Sequence, residues 1–220
     1  MDWSNRFVFL IYWSMLIDWF FKQLYHPFAW TYDFVAAAVS LGLWQKWVLA
    51  PLPYLTGTNI LEVGVGTGHL LKSIHQRGTN VVGVDLSWQM CSQVQRNFYS
   101  EGLTSPMING HAHKLPFRNG CFDQVVATFP SKYIKDDSTW SEFTRVLVPG
   151  GEMYILLFAW ITGSRWYQHL FDRLFRITGQ KPEWDEGLLE SYCRAGLNCE
   201  TIVRQVEGSS VMMLHGIKTH

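Results

Sequence analysis

"ILEVGVGTGHLL", Ile60 to Leu71, decides how the rest of the chain is read. A strand-like apolar run reaches Glu62, glycines fall at Gly64, Gly66 and Gly68, and apolar residues then resume at helical spacing. A strand that bends through glycines into a helix points its amides outward, and the helix dipole there favours negative charge. Glycine also lets the backbone touch a ligand and adopt positive φ. The stretch predicts an anion site at the end of a first sheet strand, with an acid, Glu62, two residues before the first glycine.

Outward from this bend the chain alternates. Strands are expected near 59–64, 80–85, 105–110, 122–128 and 151–158, with helices near 67–77, 87–101 and 132–146. Such βαβ alternation predicts a parallel sheet with helices on both faces and a ligand site beyond the carboxyl ends of its strands. "PGG" at Pro149–Gly151 reads as a turn before the fifth strand. A helix with an apolar face is expected over Ser164–Gly179 and another over Glu183–Ala195. Two strand-like runs, Cys199–Val206 and Ser210–Lys218, flank "EGSS" and predict an antiparallel hairpin at the sheet edge.

Upstream lies an aromatic segment. Of 11 tryptophans, six fall in the first fifty residues, a residue suited to surfaces apolar on one side and wet on the other. "RFVFLIYWSMLIDWFF" (Arg6–Phe21) has its apolar run Phe7–Ile17 interrupted by Asp18, too short for the roughly 20 residues a bilayer span needs. No small-residue cleavage pattern follows promptly. Ser14, Asp18 and Lys22 form one narrow polar stripe on an otherwise apolar helix, which fits a packing helix or a membrane-surface contact. A further helix is expected over Tyr32–Leu49, stopped by the prolines of "APLP". The chain divides into an aromatic helical segment, 1–52, and a ligand-binding core, 53–220, with a helical insertion near 160–180.

Composition excludes some functions. Lys+Arg and Asp+Glu both count 18, with no basic run, so nothing favours a nucleic-acid partner. The four cysteines form no CxxC pair, which argues against a zinc site and a disulfide scaffold. Plain thiols fit a reducing, cytoplasmic setting. The aromatic N-terminus adds a peripheral position at the inner face of the membrane as an alternative.

The glycines alone suit dinucleotides as well as other adenosine cofactors. The spacing is GxGxG, and His69 stands where a dinucleotide fold wants its third small residue. Glu62 can bind the loop amides or attract a cofactor ammonium group, and it would repel a pyrophosphate. Asp85, ending "NVVGVDLS", is placed to accept hydrogen bonds from both ribose hydroxyls. Amides for a carboxylate, an acid for an ammonium and an acid for a ribose describe S-adenosylmethionine.

The chain resembles a class I S-adenosylmethionine-dependent methyltransferase. "ILEVGVGTG", "VVGVDLS", "AHKLPFRNGCFDQVVATF" and "FTRVLVPGGEMYIL" occur in the family's order. "AWTYDFVAAAVSLGLWQKWV" is similar to the pre-core segment of the ubiquinone/menaquinone-biosynthesis type. The resemblance implies an α/β, Rossmann-like fold with a mostly parallel seven-stranded sheet, a C-terminal antiparallel hairpin and extra N-terminal helices. It implies Tyr32 and Gly64, Gly66 and Gly68 near the methionine end, Asp85 on the ribose, and Leu86 and Met90 near adenine. His111 stands where the family has an aspartate for the adenine amine, which leaves the amide of Ala112 as the adenine contact. Phe129 would flank the transfer site.

Methyl transfer from a sulfonium needs alignment and a dry pocket, and no metal. For acceptors that need a base, Tyr25, His26, Tyr133, Tyr167 and His169 lie in segments expected to border the pocket. The aromatic N-terminal helices and the 164–179 helix are expected to form a hydrophobic lid, so the acceptor is read as small and hydrophobic, quinone-like or phospholipid-like. A nicotinamide-dependent oxidoreductase and a non-catalytic binder of the same cofactor are the alternatives. Oligomeric state has no sequence signal.

Overall fold

The computed structural model describes residues 42–162 and 196–219. In chain order the elements are α1 (Trp44–Val48), a 3₁₀ turn (Leu52–Tyr54), β1 (Asn59–Val63), α2 (His69–Gln76), β2 (Asn80–Asp85), α3 (Trp88–Ser100) and β3 (Met107–Asn109). Then follow β4 (Phe122–Thr128), a 3₁₀ turn (Lys132–Lys135), α4 (Asp137–Val146), β5 (Leu147–Ile161), β6 (Leu197–Val206) and β7 (Ser209–Lys218). The strands form one sheet of order β3-β2-β1-β4-β5-β7-β6. β1 to β5 run parallel, and β7 is antiparallel to both β5 and β6.

The sheet's centre is covered on both faces, so its strands read as continuous apolar runs rather than alternating ones. Ile60, Leu61, Val125, Val126 and Ile155 are all buried. On one face Leu70, Leu71 and Ile74 of α2 and Val94 and Phe98 of α3 pack with Ile60, Val65 and Val126. On the other, Trp140, Phe143 and Val146 of α4 pack with Leu61, Val125 and Ile155. Ser87 caps α3 by accepting the Met90 amide at 3.3 Å. The β6–β7 hairpin turns on Glu207 and Gly208, both at positive φ (41° and 75°), the backbone a two-residue turn between twisted strands requires.

Three sequence expectations are corrected. A continuous Tyr32–Leu49 helix does not exist, because Gly42 takes φ 82° and α1 starts only at Trp44. The 132–146 helix splits at Asp136, whose extended backbone ends the 3₁₀ turn and whose side chain accepts the Ser138 amide at 2.9 Å to start α4. β5 begins at Leu147, before the glycines, because Leu147 pairs with Phe122; the register shift that follows absorbs Pro149–Gly151. The expected helices over Arg6–Phe21, Ser164–Gly179 and Glu183–Ala195 lie outside the described residues. No helix among the described residues is long and apolar enough to cross a membrane.

α1 docks onto the antiparallel half of the sheet. Trp47 is buried with Ala50, Leu156, Val211 and Met213, and its indole N–H donates to Ser209 Oγ at 2.8 Å. Trp47→Phe removes that buried bond and part of the ring. A stability loss of about 1–2 kcal/mol is expected in urea denaturation. An unchanged midpoint would mean that residues 42–50 do not dock on β5 and β7.

A polar network holds the sheet's far end together. Glu152 accepts from Gln124 Nε2 (2.8 Å) and lies 3.3 Å from His215 Nε2, while His215 Nδ1 lies 3.0 Å from Glu200. Tyr154 stacks on His215 with centroids 4.6 Å apart, and burial first, then Glu152, pushes its hydroxyl up to about 12. These residues sit toward the amino ends of β4 and β5, away from the glycine bend, and serve architecture.

Candidate functional site

The bend between β1 and α2 is built by backbone no other residue type accepts readily. Gly64, Gly66 and Gly68 all have positive φ (75°, 57° and 87°). The Gly64 amide donates to the Val84 carbonyl at 2.8 Å, which ties the bend to β2. At Gly68 an added Cβ would lie 2.8 Å from Val94, so glycine there lets α2 sit against α3. At Gly66, φ 57°, an added Cβ would meet no atom of the described residues within 4 Å.

Asp85 ends β2 beside this bend. Its Oδ2 accepts the Gly66 amide at 3.0 Å and its Oδ1 the Ser87 amide at 2.8 Å. Each oxygen keeps a lone pair. Burial raises the Asp85 pKa, and the amides of Gly66, Ser87 and Val65 oppose the rise. Asn109, not singled out by sequence reasoning, fixes this tip: its side-chain amide donates to the carbonyls of Asp85 (3.0 Å) and Leu86 (2.9 Å). Asn109 fell inside the strand expected near 105–110, which gave no sign of this role.

Glu62 is 0% exposed, and neither carboxylate oxygen has a hydrogen-bond partner. Burial first, then the neighbouring Asp85 charge, pushes its carboxyl well above the usual range. The Leu71 amide at the start of α2 counters this weakly. Leu86 is 65% exposed at the open end, while Met90 beneath it is buried. His111 is exposed, its carbonyl accepting the Lys114 amide, and Ala112 beside it is buried.

The segment after β4 crosses the end of β1. Phe129 holds a left-handed backbone, φ 46°, uncommon for an aromatic residue. Its amide donates to the Leu156 carbonyl at 2.8 Å. Its ring stacks on Trp44 of α1, with centroids 4.7 Å apart and planes at 23°. Tyr133 then donates its hydroxyl to the Val63 carbonyl at 3.0 Å, directly over Gly64. Tyr25, His26, Tyr32, Tyr167 and His169 lie outside the described residues. Of the expected bases only Tyr133 can be placed, and its proton is directed at backbone. Trp44 is the site-bordering residue that sequence reasoning left in a packing helix. Among the described residues no group of three His, Cys, Asp or Glu could hold a metal ion.

A glycine bend at a helix start, an acid at each of two adjacent strand tips and an apolar wall suit a ligand with a carboxylate, an ammonium and a ribose. The profile of the methyltransferase domain family matches residues 60–151, which contain all of these except Trp44. The fold is the Rossmann-like one shared with S-adenosylmethionine-dependent methyltransferases, which supports that family for this chain. The chain is 28% identical over 151 residues to the ubiquinone/menaquinone biosynthesis C-methyltransferase of Xylella fastidiosa (strain M12), covering 64% of this chain. It is 28% identical over 143 residues to the protein of that name from Burkholderia mallei (strain SAVP1), covering 62% of this chain. The match spans 59% of the length of each of those relatives. In fold it is similar to the PH0226 protein of Pyrococcus horikoshii, with TM-score 0.60, 20% identity and coverage of 86% of this chain and 96% of that one. It is also similar to a phosphoethanolamine N-methyltransferase of Haemonchus contortus in complex with phosphomonomethylethanolamine and S-adenosylhomocysteine. There the TM-score is 0.60 and the identity 18%, over 81% of this chain and 53% of that one. The sheet, with antiparallel β7 between β5 and β6, departs from the dinucleotide-binding order, in which the sixth strand follows the fifth. That removes the fold argument for a nicotinamide-dependent oxidoreductase.

Proposed function

We propose that this chain transfers the methyl group of S-adenosylmethionine to a small hydrophobic acceptor, with a quinone-type ring preferred to a phospholipid head group. The main support is the left-handed glycine bend, with no described residue against Gly66 and with Asp85 at the adjoining strand tip. When bound, the cofactor supplies an electrophilic methyl on a positively charged sulfur. The chain's own residues align and enclose it. The bend at Gly64, Gly66 and Gly68 would take the carboxylate, Asp85 the ribose hydroxyls, and Leu86, Met90 and the Ala112 amide the adenine side. Phe129 and Trp44 would keep water from the acceptor, which matters because charge disperses as the methyl moves.

The ring preference rests on the flat, apolar stack of Trp44 and Phe129 and on the quinone-biosynthesis relatives. Two aromatic segments, 1–41 and 163–195, join the described chain beside this wall, at Gly42–Trp44 and after Ile161 at the end of β5. We include in the proposal the expectation that they form the acceptor's hydrophobic surroundings, that residues 1–52 act as a unit with that role, and that Phe7–Phe21 touches membrane.

A labelled-methyl assay tests the acceptor class. A prenylated hydroquinone in detergent micelles should take up label, and phosphoethanolamine should not. Phe129→Ala should lower kcat/KM for the hydroquinone about tenfold, mostly through KM, as expected for lost apolar contact. Label on phosphoethanolamine alone would reverse the preference. Label on neither, with the cofactor bound, would favour a non-catalytic binder.

A further inference from the structure

We propose that Glu62 is a proton-linked receptor for the donor's ammonium group: neutral when the bend is empty, it ionises as the ammonium enters, so donor binding releases one proton. This rests on the donor site proposed above. The balance is simple. The carboxylic acid loses its proton to solvent, and the resulting carboxylate pairs with an ammonium that stays charged throughout.

The geometry carries the argument. Glu62 is wholly buried, with both oxygens unpartnered. An ionised carboxylate in that position would be a buried charge without compensation, among the costliest arrangements a protein can hold. Among the described residues, the one charge recorded as acting on it is that of Asp85. From β2 the register partner is Gly83, and the nearest charge is the like-signed Asp85. From β4 the partner is the apolar Val126. From α2 the Leu71 amide faces it, while Lys72 pairs with Glu101 at the surface, His75 meets Phe98 at a 58° tilt with centroids 5.4 Å apart, and His69 opens the helix. After β4, the Tyr133 hydroxyl is given to the Val63 carbonyl. The neutral acid is the form this environment tolerates, and burial accordingly holds the proton well above the usual carboxylate range. A positive group entering the bend changes the balance, because an opposite charge close by favours the ionised form.

The sign follows from linkage. The acid binds its proton more tightly in the empty protein than in the complex, so affinity for an ammonium-bearing ligand rises with pH between those two pKa values. Calorimetric titration with S-adenosylhomocysteine, in buffers of different ionisation enthalpy and from about pH 5 to about pH 9, reads the proton directly. About one proton released per ligand is expected at the maximum. 5′-Methylthioadenosine, which lacks the ammonium, should bind with no release through Glu62. Glu62→Gln should abolish the release and flatten the pH dependence of S-adenosylhomocysteine affinity. S-adenosylhomocysteine binding without proton release, or equal release with methylthioadenosine or in Glu62→Gln, would overturn the inference and leave the donor site standing. Failure of the unmutated protein to bind S-adenosylhomocysteine would instead overturn the donor site and the inference with it. Should Glu62→Gln fail to fold, the two ligands on the unmutated protein still decide.

Discussion

Gly64→Ala is expected to destabilise the protein by about 2–5 kcal/mol and to abolish measurable donor binding. Two independent costs add. Gly64 sits at φ 75°, where an L-residue loses about 1–2 kcal/mol against its preferred backbone. Its new Cβ would stand 2.6 Å from the Tyr133 hydroxyl oxygen, well inside contact distance. Relieving that overlap means moving Tyr133 and breaking its 3.0 Å bond to the Val63 carbonyl, an overpacking cost of about 1–3 kcal/mol. Both strains fall on the peptide units that would face the cofactor's carboxylate. Tyr133→Phe separates them. Without the hydroxyl the nearest atom is Cζ at 3.4 Å, close to ordinary contact, so the double variant should recover the overpacking share and keep the backbone share. Urea denaturation of the four proteins gives the coupling directly. Strict additivity would mean that Tyr133 does not brace the bend, and wild-type donor affinity in Gly64→Ala would place the cofactor elsewhere.

Asp85→Ala should weaken S-adenosylhomocysteine binding by about 3 kcal/mol, roughly two-hundredfold, the scale of one or two charged hydrogen bonds. The side chain has two tasks. It holds the Gly66 and Ser87 amides at 3.0 and 2.8 Å, and in the proposed site it would also accept from the ribose hydroxyls. Asp85→Asn keeps one acceptor oxygen and puts a donor where the second stood, so it should lie between. Removing Asp85 also removes the like charge acting on Glu62, which should make Glu62 easier to ionise. Calorimetry measures the affinities. An unchanged constant in Asp85→Ala would remove the ribose assignment.

Much of the site could be read along the chain because its demands are local. A bend that needs three left-handed backbones in five residues needs glycine at each of them. A strand tip that must order two amides needs a short acid such as Asp85. The starts of α2 and α3 were legible for the same reason, as were the hairpin strands, though the turn itself shrank from "EGSS" to Glu207–Gly208. The errors arose where periodicity was read past a local stop. Gly42 and Asp136 were both visible as breaks, and both end or cap an element that apolar spacing seemed to continue.

The sequence by itself determined the βαβ alternation, the glycine bend and the two carboxylates beside it, because each follows from backbone conformation and from side chains a few residues apart. Tertiary structure alone decided that Tyr133 braces Val63, that Trp44 meets Phe129, that Asn109 ties down the Asp85 tip, and that Glu62 has no partner. Those pairs are set by which strands become neighbours in the order β3-β2-β1-β4-β5-β7-β6 and by where each crossover lands. No spacing along the chain encodes a meeting between residues 70 or 85 positions apart; only closure of the sheet brings them within reach.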